Sequence, residues 1–293
     1  MDRKPLENAQ GPAQAQSVDA LVPQAIALRA DEVGAAKAQL DAVKLIALAV
    51  LAGAFIALGA AFSTVVATGA GALPYGVGRL LAGLAFSLGL ILVVVGGAEL
   101  FTGNNLMVMA WASRRISGAA LLRAWALVYV GNMIGGIGTA VLVFLSGHYR
   151  GDGGAIGATA LSIAAAKVAL DPVQAFFLGV LCNVLVCLAV WLCLGARSTT
   201  DRILAIVPPI TAFVAAGFEH SVANMYFIPV ALLIKWGAPD AFWAAASLAP
   251  TQFTALDLWG FVRNLLPVTL GNMVGGAGLV GAVYWFVYLR ERR

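Results

Sequence analysis

Glu219 and His220 stand side by side in the stretch Gly217–Asn224, which reads GFEHSVAN. An acid and an imidazole here interrupt an apolar region that runs from Ile203 to Ile234. Ionisable groups at membrane depth are costly, and by default they mark an ion path, a proton relay or a ligand site. An imidazole titrates near working pH, so His220 can hold or give a proton. A second interruption, Glu99–Asn105 (ELFTGNN), cuts an earlier apolar run and brings the neutral hydroxyl of Thr102. The two interruptions read as two halves of one site.

Such groups need an apolar frame, and the composition supplies one. The 293 residues are 61% hydrophobic and 11% charged, with a mean hydropathy of +0.91. Soluble domains carry about 25% charged residues, so most of this chain belongs in a bilayer. The net charge of +4 does not point to nucleic acid. Basic residues gather at the ends of apolar runs, as topology signals do, and no basic patch is interleaved with aromatics. Cys182, Cys187 and Cys193 share one apolar segment without a Cys-x-x-Cys pair. They read as small packing residues, and neither a metal nor a cofactor is expected.

Residues 1–20 read as a mobile lead with no cleavable signal pattern. Residues 21–43 set Leu21, Ile26, Ala27, Val33, Leu40 and Val43 among charges. That is a short amphipathic helix, lying along the membrane surface or packing under a pore mouth. The expected division is a cytoplasmic segment, 1–42, ahead of a membrane domain, 43–293. Spans are expected over 44–70, 80–115, 121–145, 173–194, 203–234 and 261–289. The stretches 146–171, with Lys167, and 235–257 read as loops; Trp236, Trp243 and Trp259 suit the headgroup level. The polar middle of the second span predicts a broken helix. Pro208, Pro209 and Pro229, with the Glu219-His220 pair, predict another in the fifth.

Thirteen of the eighteen lysines and arginines fall on the side of the N-terminus when the loops alternate. This places both termini in the cytoplasm of an inner-membrane protein. GNMIGGIG from Gly131 matches GNMVGGAG from Gly271. With three spans per half the halves must be inverted, which is a transport architecture. The glycines themselves read as close-packing residues.

Three stretches resemble signatures of the formate/nitrite transporter family: Gly97–Gly103, Gly179–Ala189 and Gly217–Met225, in that order. The similarity covers essentially everything after residue 40. The resemblance implies an all-α, six-helix protomer with an aquaporin-like inverted 3+3 repeat and helices 2 and 5 broken. It implies a homopentamer with one pore per subunit, passing small monovalent anions. Formate is the expected substrate, in a pH-dependent manner; nitrite or hydrosulfide is the alternative. By position, Leu100, Phe101 and Thr102 would form the loop in the broken second helix. Phe86 and Phe213 would be two apolar constrictions lined by Leu90 and Val186. Lys167, Asn183, Glu219, His220 and Asn224 would be the polar set.

An anion in an apolar pore faces a large desolvation cost. Backbone N–H groups at half-helix starts, the hydrogen bonds of Thr102 and Asn183, and the imidazole of His220 can each reduce it. Two mechanisms stay open: His220 protonates the anion in transit, or it acts as a fixed donor to an anion that passes whole. Glu219 reads as a base for His220 or as a carboxylate receiving backbone N–H bonds. Lys167 would draw anions to the mouth, and His148 reads as an interfacial residue. A water channel of the aquaporin type would carry Asn-Pro-Ala at its helix starts, and this chain has none. An intramembrane serine hydrolase is disfavoured too, since Ser221 adjoins His220 on one backbone and no Gly-x-Ser-x-Gly is present.

Overall fold

The computed structural model describes residues 19–292 and is helical throughout them. Most of the lead expected over residues 1–20 lies outside the described residues. Six elements are long and apolar enough to cross a membrane. They are α2 (Ala42–Ala67), α3 (Tyr75–Gly96), α6 (Gly118–Leu145), α8 (Pro172–Gly195), α9 (Thr199–Ala216) and the run Pro250–Tyr288. That run contains α12 (Leu258–Met273), a π-helical stretch over Val274–Ala282, and α13 (Val283–Tyr288).

Local chemistry sets the starts. Asp41, Ser117, Asp171, Ser198 and Asp257 cap α2, α6, α8, α9 and α12 by accepting first-turn amides, which satisfies donors that a helix start leaves open. Helix contacts rest on small residues. A Cβ at Gly135 would overlap the carbonyl of Val50, and one at Gly275 the carbonyl of Val180. So α6 lies tight on α2, and the α12 run equally tight on α8. Close backbone approach of this kind suits helices in lipid, which adds no hydrophobic drive of its own.

At the centre runs α10 (Ser221–Gly237), buried from Ser221 to Leu232 without interruption. A helix buried all round belongs inside a bundle. It packs against α6, α2, α12 and α7 (Ala155–Val168).

Several expectations need correction. The N-terminal helix, α1 (Pro23–Ala38), stops short of residue 43, because the extended Asp41 caps a new helix. It docks on α8, α13 and α5 (Val108–Ala112). The stretch 146–171 is not a loop: it contains α7, with Lys167 in the last turn. The stretch 235–257 contains α11 (Asp240–Ala246), which buries Trp243, while Trp236 and Trp259 stay exposed. Pro208 and Pro209 lie inside α9, and Pro229 lies inside α10. None of them ends a helix; a glycine does.

Candidate functional site

Gly97 and Gly217 end α3 and α9 in the left-handed region, both at φ 77°. A glycine takes that conformation without a Cβ penalty and stops the helix. The chain then turns back alike in both places. Ala98 N–H reaches Val93 O at 2.9 Å, and Phe218 N–H reaches Phe213 O at 3.0 Å. Glu99 N–H donates to Leu48 O and Glu219 N–H to Leu178 O, each at 3.2 Å. One extended residue follows, Leu100 or His220, and a new helix begins: α4 (Phe101–Asn104) or α10.

Two asparagines hold these helix starts. Asn132 accepts Phe101 N–H at 2.8 Å and donates to Glu99 O at 2.9 Å and Ala49 O at 2.7 Å. Asn272 accepts Ser221 N–H at 2.9 Å and donates to Glu219 O at 3.0 Å and Gly179 O at 2.8 Å. The amides of Phe101 and Ser221, expected to face an anion, are therefore taken by side chains.

The starts meet through side chains. His220 caps α10: Nδ1 accepts Ala223 N–H at 3.0 Å. In the neutral ring that leaves the proton on Nε2, 3.0 Å from Thr102 Oγ1. Nε2–H therefore donates to Thr102 Oγ1; Thr102 is fully buried and lines neither of the two cavities beside it. Behind Thr102, Asn183 donates to Thr102 O at 3.3 Å and to Asn272 O at 2.7 Å.

Each break carries an ion pair braced by an asparagine. Lys167 donates to Glu219 at 2.7 Å, and Asn224 donates to the other oxygen at 2.7 Å, with Asn264 at 3.4 Å. Glu219 thus takes side-chain donors, not the backbone N–H bonds expected of it. At the other break Lys37 donates to Glu99 at 3.0 Å and to Asn104 at 2.7 Å, and Asn104 donates to Glu99 at 2.7 Å. Each carboxylate is desolvated but paired and hydrogen-bonded, which keeps a buried charge tolerable.

His220 lines one of two cavities, and Leu100 and Gly103, on either side of Thr102 in the chain, line the other. On the α7 side one of about 400 Å³ is lined by Arg79, Lys167, Glu219 and His220, with Phe86, Phe213 and Phe227 among its apolar residues. Phe86 and Phe213 touch edge to face, centroids 5.5 Å apart, and so form one apolar floor rather than two. On the α1 side one of about 270 Å³ is lined by Leu90, Leu100, Glu99, Asn104, Lys37, Arg29 and Arg202. Phe101 turns away, packing on Trp125 and Tyr129. Val186 is buried and lines neither cavity. His148 is exposed.

Lys37, Asn104, Asn132, Asn264 and Asn272 escaped the sequence reading. A signal existed: Lys-x-x-x-Asp at 37/41 and 167/171, Glu-x-x-x-x-Asn at 99/104 and 219/224, and the asparagine inside the repeated GNM motif.

An all-helical membrane frame with two cavities on either side of a buried hydroxyl–imidazole contact is the build of a pore for small solutes. The profile of the family described as Formate/nitrite transporter matches residues 24–286, and the chain belongs to that family. It is similar to the formate channel FocA of Escherichia coli strain K12, 44% identical over 274 residues, covering 93% of this chain and 96% of that one. The formate channel FocB of the same strain is 38% identical over 263 residues, covering 89% and 93%. A solved structure described as a pentameric formate channel with formate bound superposes with a TM-score of 0.81 at 47% identity, covering 85% of this chain and 98% of that chain. These relatives are channels, not enzymes.

Proposed function

We propose that this protein carries formate across the inner membrane as a homopentamer, one pore per protomer, with both termini in the cytoplasm. The observation that carries this reading is the Thr102–His220 contact at 3.0 Å between two cavities with apolar floors. A hydroxyl held by an imidazole offers an anion one charge-assisted hydrogen bond where no water need enter, about 1.5–3 kcal/mol. The similarity to formate channels and the matched contacts at the two breaks support it further. We read those contacts as the two halves of an inverted 3+3 repeat, with spans two and five broken at Gly97 and Gly217. Helix α1 then forms a wall of the cytoplasmic cavity.

Transport is proposed to depend on pH because formate crosses the apolar floors far more cheaply with a proton than without. Of the two mechanisms, the geometry favours His220 as a fixed donor. A proton on Nδ1 would displace the Ala223 amide and uncap α10. Without it, giving up the Nε2 proton would leave an imidazolate. The proton then travels on formate itself. Uptake of labelled formate, nitrite and hydrosulfide into proteoliposomes at two pH values tests the substrate. Formate uptake that rises as external pH falls supports the reading; uptake of nitrite or hydrosulfide without formate overturns it.

A further inference from the structure

The two cavities differ in charge. The α7-side cavity has Arg79 and Lys167 against Glu219, and both cations are engaged. Lys167 pairs with Glu219, and Arg79 donates to Val214 O and to Ala215 O, capping the end of α9. The α1-side cavity has Arg29, Lys37 and Arg202 against Glu99 alone. Lys37 is taken by Glu99 and Asn104. Among the described residues, the guanidinium groups of Arg29 and Arg202 have no hydrogen-bond or ion-pair partner, although both residues are half-buried.

The nearby acids are committed elsewhere. Asp31 pairs with Arg115 at 3.0 Å. Asp201 receives the amides of Arg197 and Ser198. Glu32, one turn on from Arg29 along α1, is exposed and forms no ion pair with it. So two guanidinium groups line one recess with no carboxylate paired to either. Partly desolvated guanidinium groups gain most from oxyanions that match their planar fork.

We propose that the α1-side cavity is a binding site for a divalent oxyanion of the hydrogen-phosphate class, held between Arg29 and Arg202. A single negative charge would leave one guanidinium unmatched; two balance both. The floor beyond is apolar, with Leu90, Val93, Val94 and Leu100, and a doubly charged ion cannot shed its water to cross it. The bound anion therefore occludes the pore from the α1 face and makes formate flux sensitive to it.

The test uses the full chain in nanodiscs and radiolabelled inorganic phosphate, with ionic strength held by chloride. Saturable binding to the wild type is expected. Arg29→Gln and Arg202→Gln should each weaken it about tenfold, the value of one charge-assisted contact. The double variant should abolish it, while Arg79→Gln, on the other face, leaves it unchanged. Arg29→Lys keeps the charge but not the fork and should bind more tightly than Arg29→Gln though less tightly than wild type, which separates a lost site from a damaged fold. The occlusion rests on the formate reading, so flux is read separately: phosphate on the α1 face alone should slow formate in proteoliposomes, less so in Arg29→Gln. Binding without any formate flux would count against the transport reading and leave the site standing. Phosphate binding absent from the wild type, or undiminished in the double variant, overturns the proposal.

Discussion

Leu100 occupies at the first break the place that His220 occupies at the second. Each is the single extended residue between a buried glutamate and a helix start, at φ −105°, ψ 127° for Leu100 and φ −115°, ψ 113° for His220. The frames around them match in the glycine turn, the lysine–glutamate pair and the asparagine that holds the helix start. The centre does not: the imidazole that meets Thr102 has only an aliphatic counterpart, Leu100, at the first break. The chemistry of the site therefore rests on a single hydrogen bond held by two rigid frames.

His220→Asn probes that bond. Asparagine is a good N-cap, so its oxygen can take the Ala223 amide while its amide nitrogen offers a donor toward Thr102. If His220 acts as a fixed donor, formate uptake should keep its acceleration on lowering external pH, with a rate within about tenfold of wild type. His220→Leu removes both contacts and should stop most flux. The pH profile of labelled uptake is the check, and loss of pH dependence in His220→Asn would favour proton transfer by the ring.

Phe213→Ala removes one of two rings that meet at the floor of the α7-side cavity. The ring also stacks on His220, with centroids 5.8 Å apart. Truncating a buried aromatic costs about 3–5 kcal/mol, and here the value should fall at the low end because the ring already borders a cavity. The expected outcome is faster uptake of larger monocarboxylates such as lactate, with formate still carried. Unchanged selectivity among them would place the constriction elsewhere.

The helical class, the six apolar elements and the meeting of the two polar breaks were legible, because hydropathy and buried ionisable residues leave strong marks. Lys37 was not. Its partner Glu99 is far away in sequence, and a lysine near the chain start reads as a topology signal until α1 is seen to fold back onto the site. Helix α7 was hidden by its glycine-rich approach, which reads as loop although the segment after it is largely alanine. Asn132 and Asn272 were masked by the glycines beside them, whose packing role alone accounts for the repeated motif.

Asn272→Ala tests whether the frame is built by side chains. Three buried contacts vanish; Ser221 N–H and Glu219 O lose their partner, while Gly179 O keeps its bond within α8. An unsatisfied buried group costs about 1–3 kcal/mol, so roughly 3 kcal/mol or more is expected in total. The melting temperature in detergent should fall clearly. Asn272→Asp keeps the acceptor for Ser221 but sets a carboxylate against two carbonyls, so it should fare no better. A melt unchanged in both variants would show that the break holds itself.

Lys167 and Glu219 allow stability to be separated from anion flux. Their side chains are 15% and 5% exposed and 2.7 Å apart. Lys167→Met strands a buried carboxylate, which costs about 3–5 kcal/mol. Glu219→Gln in that background removes the stranded charge, and its carbonyl oxygen still accepts from Asn224. The melting temperature should fall in Lys167→Met and largely recover in the double variant. Flux should behave differently. If the ammonium draws anions into the α7-side cavity, both variants lack it, and both should show slower formate uptake at low ionic strength than wild type. Salt should then narrow the gap, because it screens a long-range field and leaves a short pair nearly untouched. Recovery of flux along with stability would make Lys167 a brace for Glu219 and nothing more.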